Sequence, residues 1–497
     1  MDTITHWIGG APWTGTSDRT GPVYNPATGQ QTAAVAFADG AEVDAAVSTA
    51  REAFAEWGRS PVTRRQNIMF AFRELVASRR LDMARLLTAE HGKTLDDALG
   101  EVQRGLEVVE FACNIAHLLK GEYSEQVSTG VDTFTIRQPL GVVAGITPFN
   151  FPTMVPMWMY PIAIACGNTF ILKPSERDPS ASNLAAELFA EAGLPDGVFN
   201  VVHGDKVAVD ALLTHPDVAA VSFVGSTPIA RYVYETGTRH GKRVQALGGA
   251  KNHMVVLPDA DMDLAADSAV SAGYGAAGER CMAISVVVTV GDAADALIPK
   301  IEERIANLKV APGLDEGSEM GPLITKEAKD RVAGYVDAGE EAGAKLLVDG
   351  RDFQVDGHED GFFLGPTLFD QVTPEMSVYT DEIFGPVLST VRLDSYGEAI
   401  ELINDNPFGN GTAVFTSDGG AARKFQNEVQ VGMVGINVPI PVPLSFYSFG
   451  GWKSSIFGTH AIYGPEGVHF YTRQKVITSR WADPMHRGVD LGFPRSD

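Results

Sequence analysis

Between residues 41 and 120, apolar positions recur every three or four residues. They do so in AEVDAAVSTAREAFAEW, in TRRQNIMFAFRELVASRRLDMARLLTAEHG and around EVQRGLEVVEFACNIAHLL. That spacing predicts helices with one buried face. In the last stretch Val102, Leu106, Val109, Cys113 and Ala116 form the predicted buried stripe. From residue 131 the period shifts to two. VDTFTIR alternates like a half-buried strand, and GVVAGI is a short unbroken apolar run, the pattern of a strand covered on both faces. It ends in the loop TPFNFP; a helix over about 153–166 closes at Gly167, and TFILK is the next strand.

The alternation continues with a helix to EAGLPDG, the strand VFNVV, a helix from Lys206, the strand AAVSFV, the turn GST, another helix and the strand RVQAL. Strands and helices joined by short Gly and Pro turns predict an open parallel sheet covered by helices, with a nucleotide site beyond the strands' C-terminal ends. A second α/β region runs from about 248 to 440, with strands HMVVL and ISVVVTV and a helix beginning near Lys326. The last apolar stretch, GVHFYTRQKVITSRW, reads as an edge strand, expected with VDTFTIR to pair between subunits.

Composition narrows the class. In 497 residues, 44% hydrophobic content fills more than one core, so a multi-domain globular chain is expected. A net charge of −24 repels phosphate backbones and anionic headgroups, which argues against nucleic acid and membrane partners. Cys113, Cys166 and Cys281 form no CxxC pair, and the histidines show no metal-ligand spacing, so no metal is expected. The N-terminal residues lack a basic, apolar or Arg-rich targeting pattern, and a cytoplasmic protein is expected.

Cys281 stands apart from the other two cysteines. It follows Arg280 in GYGAAGERCMA, among small residues that leave the sulfur approachable, and an adjacent guanidinium lowers a thiol's pKa toward neutrality. Cys113 on a helix face and Cys166 in IAIACG suit packing instead. A thiolate adding to a carbonyl creates an oxyanion that needs fixed donors. Asn150, between Pro148 and Pro152, can donate beside the backbone N–H of Cys281, although an Asn between prolines also reads as a turn residue. Lys173 and Glu176 of ILKPSE leave a strand at its C-terminal end. There the lysine can meet ribose hydroxyls and the glutamate would repel a 2′-phosphate, favouring NAD; an exposed ion pair is the other reading. Gly225, Ser226 and Thr227 open a helix whose N–H groups would face a pyrophosphate, although GxGxxG is absent.

TPFNFP, ILKPSE, FVGST, LGGAK, GERC and DEIFGPV, in that order, resemble the aldehyde dehydrogenase superfamily over residues 5–480 or so. The resemblance implies an α/β fold with a Rossmann-type cofactor domain (1–120 and 140–247), an α/β catalytic domain (248–450) and a small β oligomerisation element (121–139 and 451–497). It implies Cys281 as nucleophile and Asn150 as oxyanion donor. It also implies Phe149, Lys173, Glu176, Arg177, Gly225, Ser226, Glu382 and Phe384 as NAD contacts, with Glu382 on the nicotinamide ribose and Phe384 beside the ring.

One position departs from the common pattern. Where hydrolytic members carry a glutamate base, 34 residues before the nucleophile, this chain has Leu247. Water attack on a thioester would lose roughly 10²–10⁴-fold without that base, whereas coenzyme A brings its own thiol. FNFPTMVPMWMYPIAIACGNTFILKPSERDP, GAKNH and NVPIPVPLSFYSFGGWKSS resemble the methylmalonate-semialdehyde dehydrogenase branch, which is CoA-acylating and decarboxylating. That likeness implies Arg104 and Arg280 as holders of the substrate carboxylate; from the residues alone, Arg104 reads as an ion pair with Glu107. The implied chemistry takes methylmalonate or malonate semialdehyde to propionyl-CoA or acetyl-CoA in a homo-oligomer, dimer or tetramer. The pathway stays open among valine, pyrimidine and inositol breakdown. Three alternatives remain: a hydrolytic enzyme for ordinary aldehydes, a non-acylating enzyme for a different acid semialdehyde such as succinate semialdehyde, and a non-catalytic binding or structural protein of the same fold.

Overall fold

The run Val142–Ile146 is buried at every position. In the computed structural model, which describes residues 2–481, it is the central strand of a parallel set. It pairs with Thr169–Lys173 on one side, from Val142↔Thr169 to Ile146↔Lys173, and with Val218–Val224 on the other. Successive residues feed separate cores: Val143 packs with Phe170 and Leu172, while Val142, Ala144 and Ile146 pack with Ile171. This is why the run shows no alternation in sequence.

Phe199–Val201 and Arg243–Leu247 extend the parallel set, and antiparallel strands complete an eight-stranded sheet. These are Ile456–Phe457 at one edge, and His6–Ile8 with Ala11–Trp13 at the other. The chain runs outward from Val142–Ile146 to Phe199–Val201, then returns to its opposite side at Val218–Val224. That reversal opens a crevice beyond the C-terminal ends of these two strands, where ligands of such sheets bind. The loop TPFN leaves one lip and the turn GST the other.

A second, seven-stranded sheet is ordered Lys345–Val348, Thr367–Asp370, Val387–Leu393, Ile284–Val290, Asn252–Val256, Gly411–Phe415 and Met433–Ile436. Its first strand alone is antiparallel. Thr3–Ile4, Gln30–Ala36 and Thr20–Asn25 make a separate small sheet.

The expected helical stretch holds Gly40–Trp57, Val62–Ser78, Arg80–His91 and Leu95–Cys113. Val102, Leu106, Val109 and Cys113 are buried, but Ala116 is not fully so. The helix stops at Asn114, and the short helix Ile115–Leu118 turns Ile115 inward instead. Leu95–Cys113 lies across Met154–Ala165, whose residues are all buried. At Gly105 the two approach so closely that a Cβ would stand 2.6 Å from the Met157 sulfur.

The C-terminal stretch differs from expectation. Gly464–Tyr471 is a helix begun by Pro465, and the strand starts only at Thr472. Thr472–Arg480 pairs antiparallel with Val131–Pro139 of the same chain, from Thr472↔Pro139 to Arg480↔Val131, with Tyr123–Ser128 on the other side. The pairing expected between subunits therefore forms within the chain. Residues 452–457 pair instead with Phe408–Gly409 and with the eight-stranded sheet, so the small sheet begins at Thr472 and not at 451. The expected element's residues 482–497 lie outside the described residues. Among the described residues no helix is long and apolar enough to cross a membrane.

Candidate active site

Helix Met262–Tyr274 ends in an unusual turn. Ala276 (φ 50), Ala277 (φ 52) and Gly278 (φ 73) adopt left-handed conformations one after another. For an alanine this costs about 1–2 kcal/mol each, so surrounding contacts must hold the turn. Asp97 Oδ2 accepts the Ala276 N–H at 3.2 Å. Gly278 packs so tightly on the DEIFGP loop that a Cβ would stand 2.2 Å from the Gly385 carbonyl oxygen. The turn delivers Cys281 just before the strand Ile284–Val290. There the Cys281 carbonyl accepts the amides of Asn252 (3.0 Å) and Asn410 (2.9 Å). These two bonds fix the peptide plane between Cys281 and Met282, and with it the Met282 N–H.

Cys281 is half-buried and lines a cavity of about 320 Å³ together with Arg104, Arg280, Phe151, Met154 and Trp158. Its thiol is pushed up to about 12, first by burial and then by the Glu382 carboxylate. The backbone N–H groups of Cys281 and Met282 favour the thiolate, and Arg280 contributes least. The expectation that Arg280 brings the thiol near neutrality is thus corrected: its guanidinium is bound by Asp97. Burial holds Cys113 and Cys166 at about 12 as well. Cys281 differs from them in opening onto a cavity, not in acidity.

Asn150 sits at the lip of the crevice, with its side chain almost fully buried. Its loop is held from beneath by an ion pair that the sequence did not disclose. Lys93 Nζ donates to the Asn150 carbonyl oxygen (2.7 Å) and to Glu101 Oε2 (2.6 Å), and both side chains are 0% exposed. Glu101 Oε1 accepts the N–H groups of Thr153 (2.8 Å) and Met154 (3.1 Å). The Lys93 ammonium also lies 4.5 Å from the Phe151 ring centre. Every residue from Asn150 to Met154 except Pro152 is touched by the pair, so the amide of Asn150 is presented from a braced loop.

The candidate cofactor residues stand at or just after the C-terminal ends of the parallel strands, or sit on the DEIFGP loop. Lys173 Nζ and Glu176 Oε2 are 3.0 Å apart at the end of Thr169–Lys173. Burial raises the Glu176 carboxyl's pKa, but Lys173 and the backbone outweigh it and hold the group below its usual range. Arg177 stands at the rim, 4.0 Å from Glu176. Gly225 donates to the Leu247 carbonyl (3.1 Å), and Ser226 caps helix Thr227–Arg239 by position only, its hydroxyl making no capping bond. Glu382 Oε1 accepts the Ala250 N–H (2.9 Å); its other oxygen lies over Gly249, where a Cβ would approach within 2.3 Å. Burial raises the Glu382 pKa. Phe384 is left-handed (φ 54) and meets Phe149 edge to face at 5.8 Å. An uncapped helix N-terminus for phosphate, a lysine–glutamate pair for ribose and a glycine that spares room for Glu382 fit a dinucleotide.

Lys251 completes the bracing. Its Nζ donates to the carbonyls of Val378 (2.8 Å) and Asp381 (2.7 Å), tying the strand of Asn252 to the loop of Glu382; burial lowers its pKa to about 7. Arg104 makes the expected bond to Glu107 (2.9 Å), but also donates to the Val442 carbonyl (3.1 Å) and faces the Cys281 cavity. Leu247 is buried, paired with Val224 and Ile456, in the apolar cluster against which Cys281 packs.

A thiol opening onto a cavity, a braced loop that carries Asn150 and a crevice that fits a dinucleotide define an NAD(P)-linked aldehyde-oxidising class. The aldehyde dehydrogenase family model matches residues 13–477, and the chain belongs to that family. Among curated relatives, a Pseudomonas aeruginosa malonate-semialdehyde dehydrogenase is 56% identical over 99% of this chain and 100% of its own. An Arabidopsis thaliana mitochondrial methylmalonate-semialdehyde dehydrogenase [acylating] is 50% identical over 95% of this chain and 78% of its own. A provisionally named methylmalonate-semialdehyde dehydrogenase of Sinorhizobium meliloti 1021, solved with NAD, superposes with a TM-score of 0.97 at 54% identity, covering 98% of this chain and 99% of that one.

Proposed function

We propose that this chain oxidises methylmalonate semialdehyde, and malonate semialdehyde, with NAD and coenzyme A, releasing CO2 and forming propionyl-CoA or acetyl-CoA. One observation carries the reading: a single cavity joins Cys281 to Arg104 and Arg280, while the position of the usual water-activating base is the buried Leu247. The names of the Pseudomonas and Arabidopsis relatives support the substrate class, and the word "acylating" supports coenzyme A. The NAD held by the Sinorhizobium structure supports the cofactor.

The steps follow from the side chains. The Cys281 thiolate adds to the aldehyde carbon, and the resulting oxyanion is held by the Asn150 amide and the Cys281 N–H. A bound NAD would supply the hydride acceptor, and loss of hydride from this carbon leaves a thioester on Cys281. Arg104 and Arg280 each spend part of a five-donor fork on protein acceptors and keep the rest for the substrate carboxylate. When that carboxylate leaves as CO2, the electrons of the broken C–C bond enter the thioester carbonyl, and the same oxyanion donors hold the enolate. The enolate then takes a proton at carbon. Coenzyme A thiolate finally attacks the thioester carbonyl and expels Cys281 thiolate, while Leu247 offers water no base.

We assign the eight-stranded body to the cofactor, the seven-stranded body to catalysis and the sheet of 123–139 with 472–480 to assembly. The enzyme is taken as a cytoplasmic homo-oligomer, dimer or tetramer; that the strand Thr472–Arg480 has a pairing strand on one side only among the described residues supports the oligomer.

NADH formation with each semialdehyde, with and without coenzyme A, tests the reaction. CO2 and acyl-CoA are the expected products. Full-rate NADH from propanal without coenzyme A would favour a hydrolytic enzyme. Arg104→Ala or Arg280→Ala should raise KM for the semialdehyde by a charged contact of about 1.5–3 kcal/mol and hurt propanal much less; equal losses would remove the carboxylate role.

A further inference from the structure

We infer that Asp97 is a positioning residue that ties the carboxylate-holding arginine to the strained turn of the nucleophile, so that the two sites are mechanically one. The inference rests on the assignment of Arg280 to the substrate carboxylate.

Asp97 is fixed early in helix Leu95–Cys113, where its N–H donates to Thr94 Oγ1 at 3.2 Å. Its two oxygens serve different partners. Oδ1 takes the Arg280 guanidinium, and Oδ2 takes the N–H of Ala276, the first residue of the left-handed run. Ala276 lies five positions before Cys281, and Ala276 and Ala277 both hold backbone conformations that alanines would not adopt unaided. The Asp97 bond is thus one of the contacts that keep the turn in place, and it comes from a helix 183 residues from Arg280 in sequence.

Asp97 and Arg280 also stand together as a wall. Both line the 320 Å³ cavity of Cys281, and both line a neighbouring cavity of about 670 Å³ on their other side. A carboxylate entering the first cavity must share Arg280 with Asp97. It loosens the hold of Arg280 on Asp97 and leaves more of the carboxylate's hydrogen-bonding capacity to the Ala276 N–H. A substrate without a carboxylate makes no such exchange.

Two substitutions separate the functions of Asp97. Asp97→Asn keeps an acceptor for Ala276 but removes the charge that competes for Arg280. It should lower the semialdehyde KM severalfold, with the kcat on propanal and the rate of Cys281 alkylation by iodoacetamide retained. Asp97→Ala removes both bonds, and should lower propanal kcat and the alkylation rate together by about tenfold, the value of one charge-assisted bond. Melting temperature and NAD affinity serve as folding controls. Wild-type alkylation and propanal oxidation in Asp97→Ala, or equal losses in the Ala and Asn variants, would overturn the tether. An unchanged semialdehyde KM in Asp97→Asn would overturn the competition. If the carboxylate assignment itself fails, Arg280→Ala will not distinguish semialdehyde from propanal, whereas the alkylation result stands independently of it.

Discussion

Replacing Lys93 with Met removes a buried ammonium while keeping most of the side chain's length. Two short bonds go with it, to Glu101 (2.6 Å) and to the Asn150 carbonyl (2.7 Å). Because both members of the pair are fully buried, deleting one leaves an uncompensated carboxylate, a loss of about 3–5 kcal/mol in stability. Glu101 still holds the N–H groups of Thr153 and Met154, so the loop is loosened at one end only. Loss of an oxyanion donor costs roughly 10²–10³ in kcat, and a partly displaced Asn150 should fall near the lower limit. The assay is a stopped-flow NADH burst with saturating NAD, run on propanal and on the semialdehyde. The two burst rates should fall by the same factor, since the oxyanion is common to both, while NAD affinity holds. A folded variant whose burst rate stays within about twofold of wild type would refute the bracing argument, because such a small change lies within what one neutral hydrogen bond is worth. A loss confined to the semialdehyde would place Lys93 on the carboxylate instead.

Two further substitutions probe neighbouring positions. A Cβ at Gly275 would stand 2.4–2.7 Å from the guanidinium atoms of Arg280, while φ −54, ψ 135 there suits any residue. Gly275→Ala should therefore displace Arg280 without unfolding the chain, raising the semialdehyde KM about tenfold and leaving the melting temperature and the propanal KM nearly unchanged. Leu247→Glu places a carboxyl in the apolar cluster beside Cys281, where burial raises its pKa. Free acid should form without coenzyme A and increase with pH, and its absence from the product analysis between pH 7 and 9 would count against the missing-base argument.

What the chain discloses in its sequence is what its local pattern encodes. The runs of Val142–Ile146, Thr169–Lys173 and Val218–Val224 are apolar enough, and their Gly and Pro turns short enough, to announce a parallel sheet. GVHFY misleads because short stretches of aromatic and β-branched residues fit a strand as well as a buried helix; Gly464-Pro465 before it was the available signal for a helix start. The chemical types at Cys281, Asn150 and Glu382 are equally legible. What supports them is not. Lys93, in the loop after one helix, and Glu101, on the next helix, are eight residues apart, Asn252 on one strand and Asn410 just before another meet at Cys281, and Asp97 reaches Arg280 only through the tertiary fold. Arg280 illustrates the difference: its adjacency to the thiol is a fact of sequence, but its charge is directed by a partner that sequence does not reveal.

That partner changes how the thiol must be activated, and the change can be measured. Burial and the Glu382 carboxylate push Cys281 up to about 12, so the thiolate is a trace species near neutrality. Alkylation of the free enzyme by iodoacetamide should then rise about tenfold per pH unit from pH 7 to pH 9 without levelling, because only thiolate reacts. The contributors give the sign of each variant. Removing the negative charge in Glu382→Gln lowers the thiol pKa and speeds alkylation at fixed pH, whereas Arg280→Ala, which removes the smallest favourable contribution, slows it only slightly. A rate that levels between pH 6.5 and 8 would mean that the thiol titrates near neutrality, and would restore to Arg280 the activating role its position in sequence suggests. If the rate climbs as expected, the thiolate must form as the site fills, through groups that shield Glu382, and the arginine beside the cysteine is left to serve the substrate.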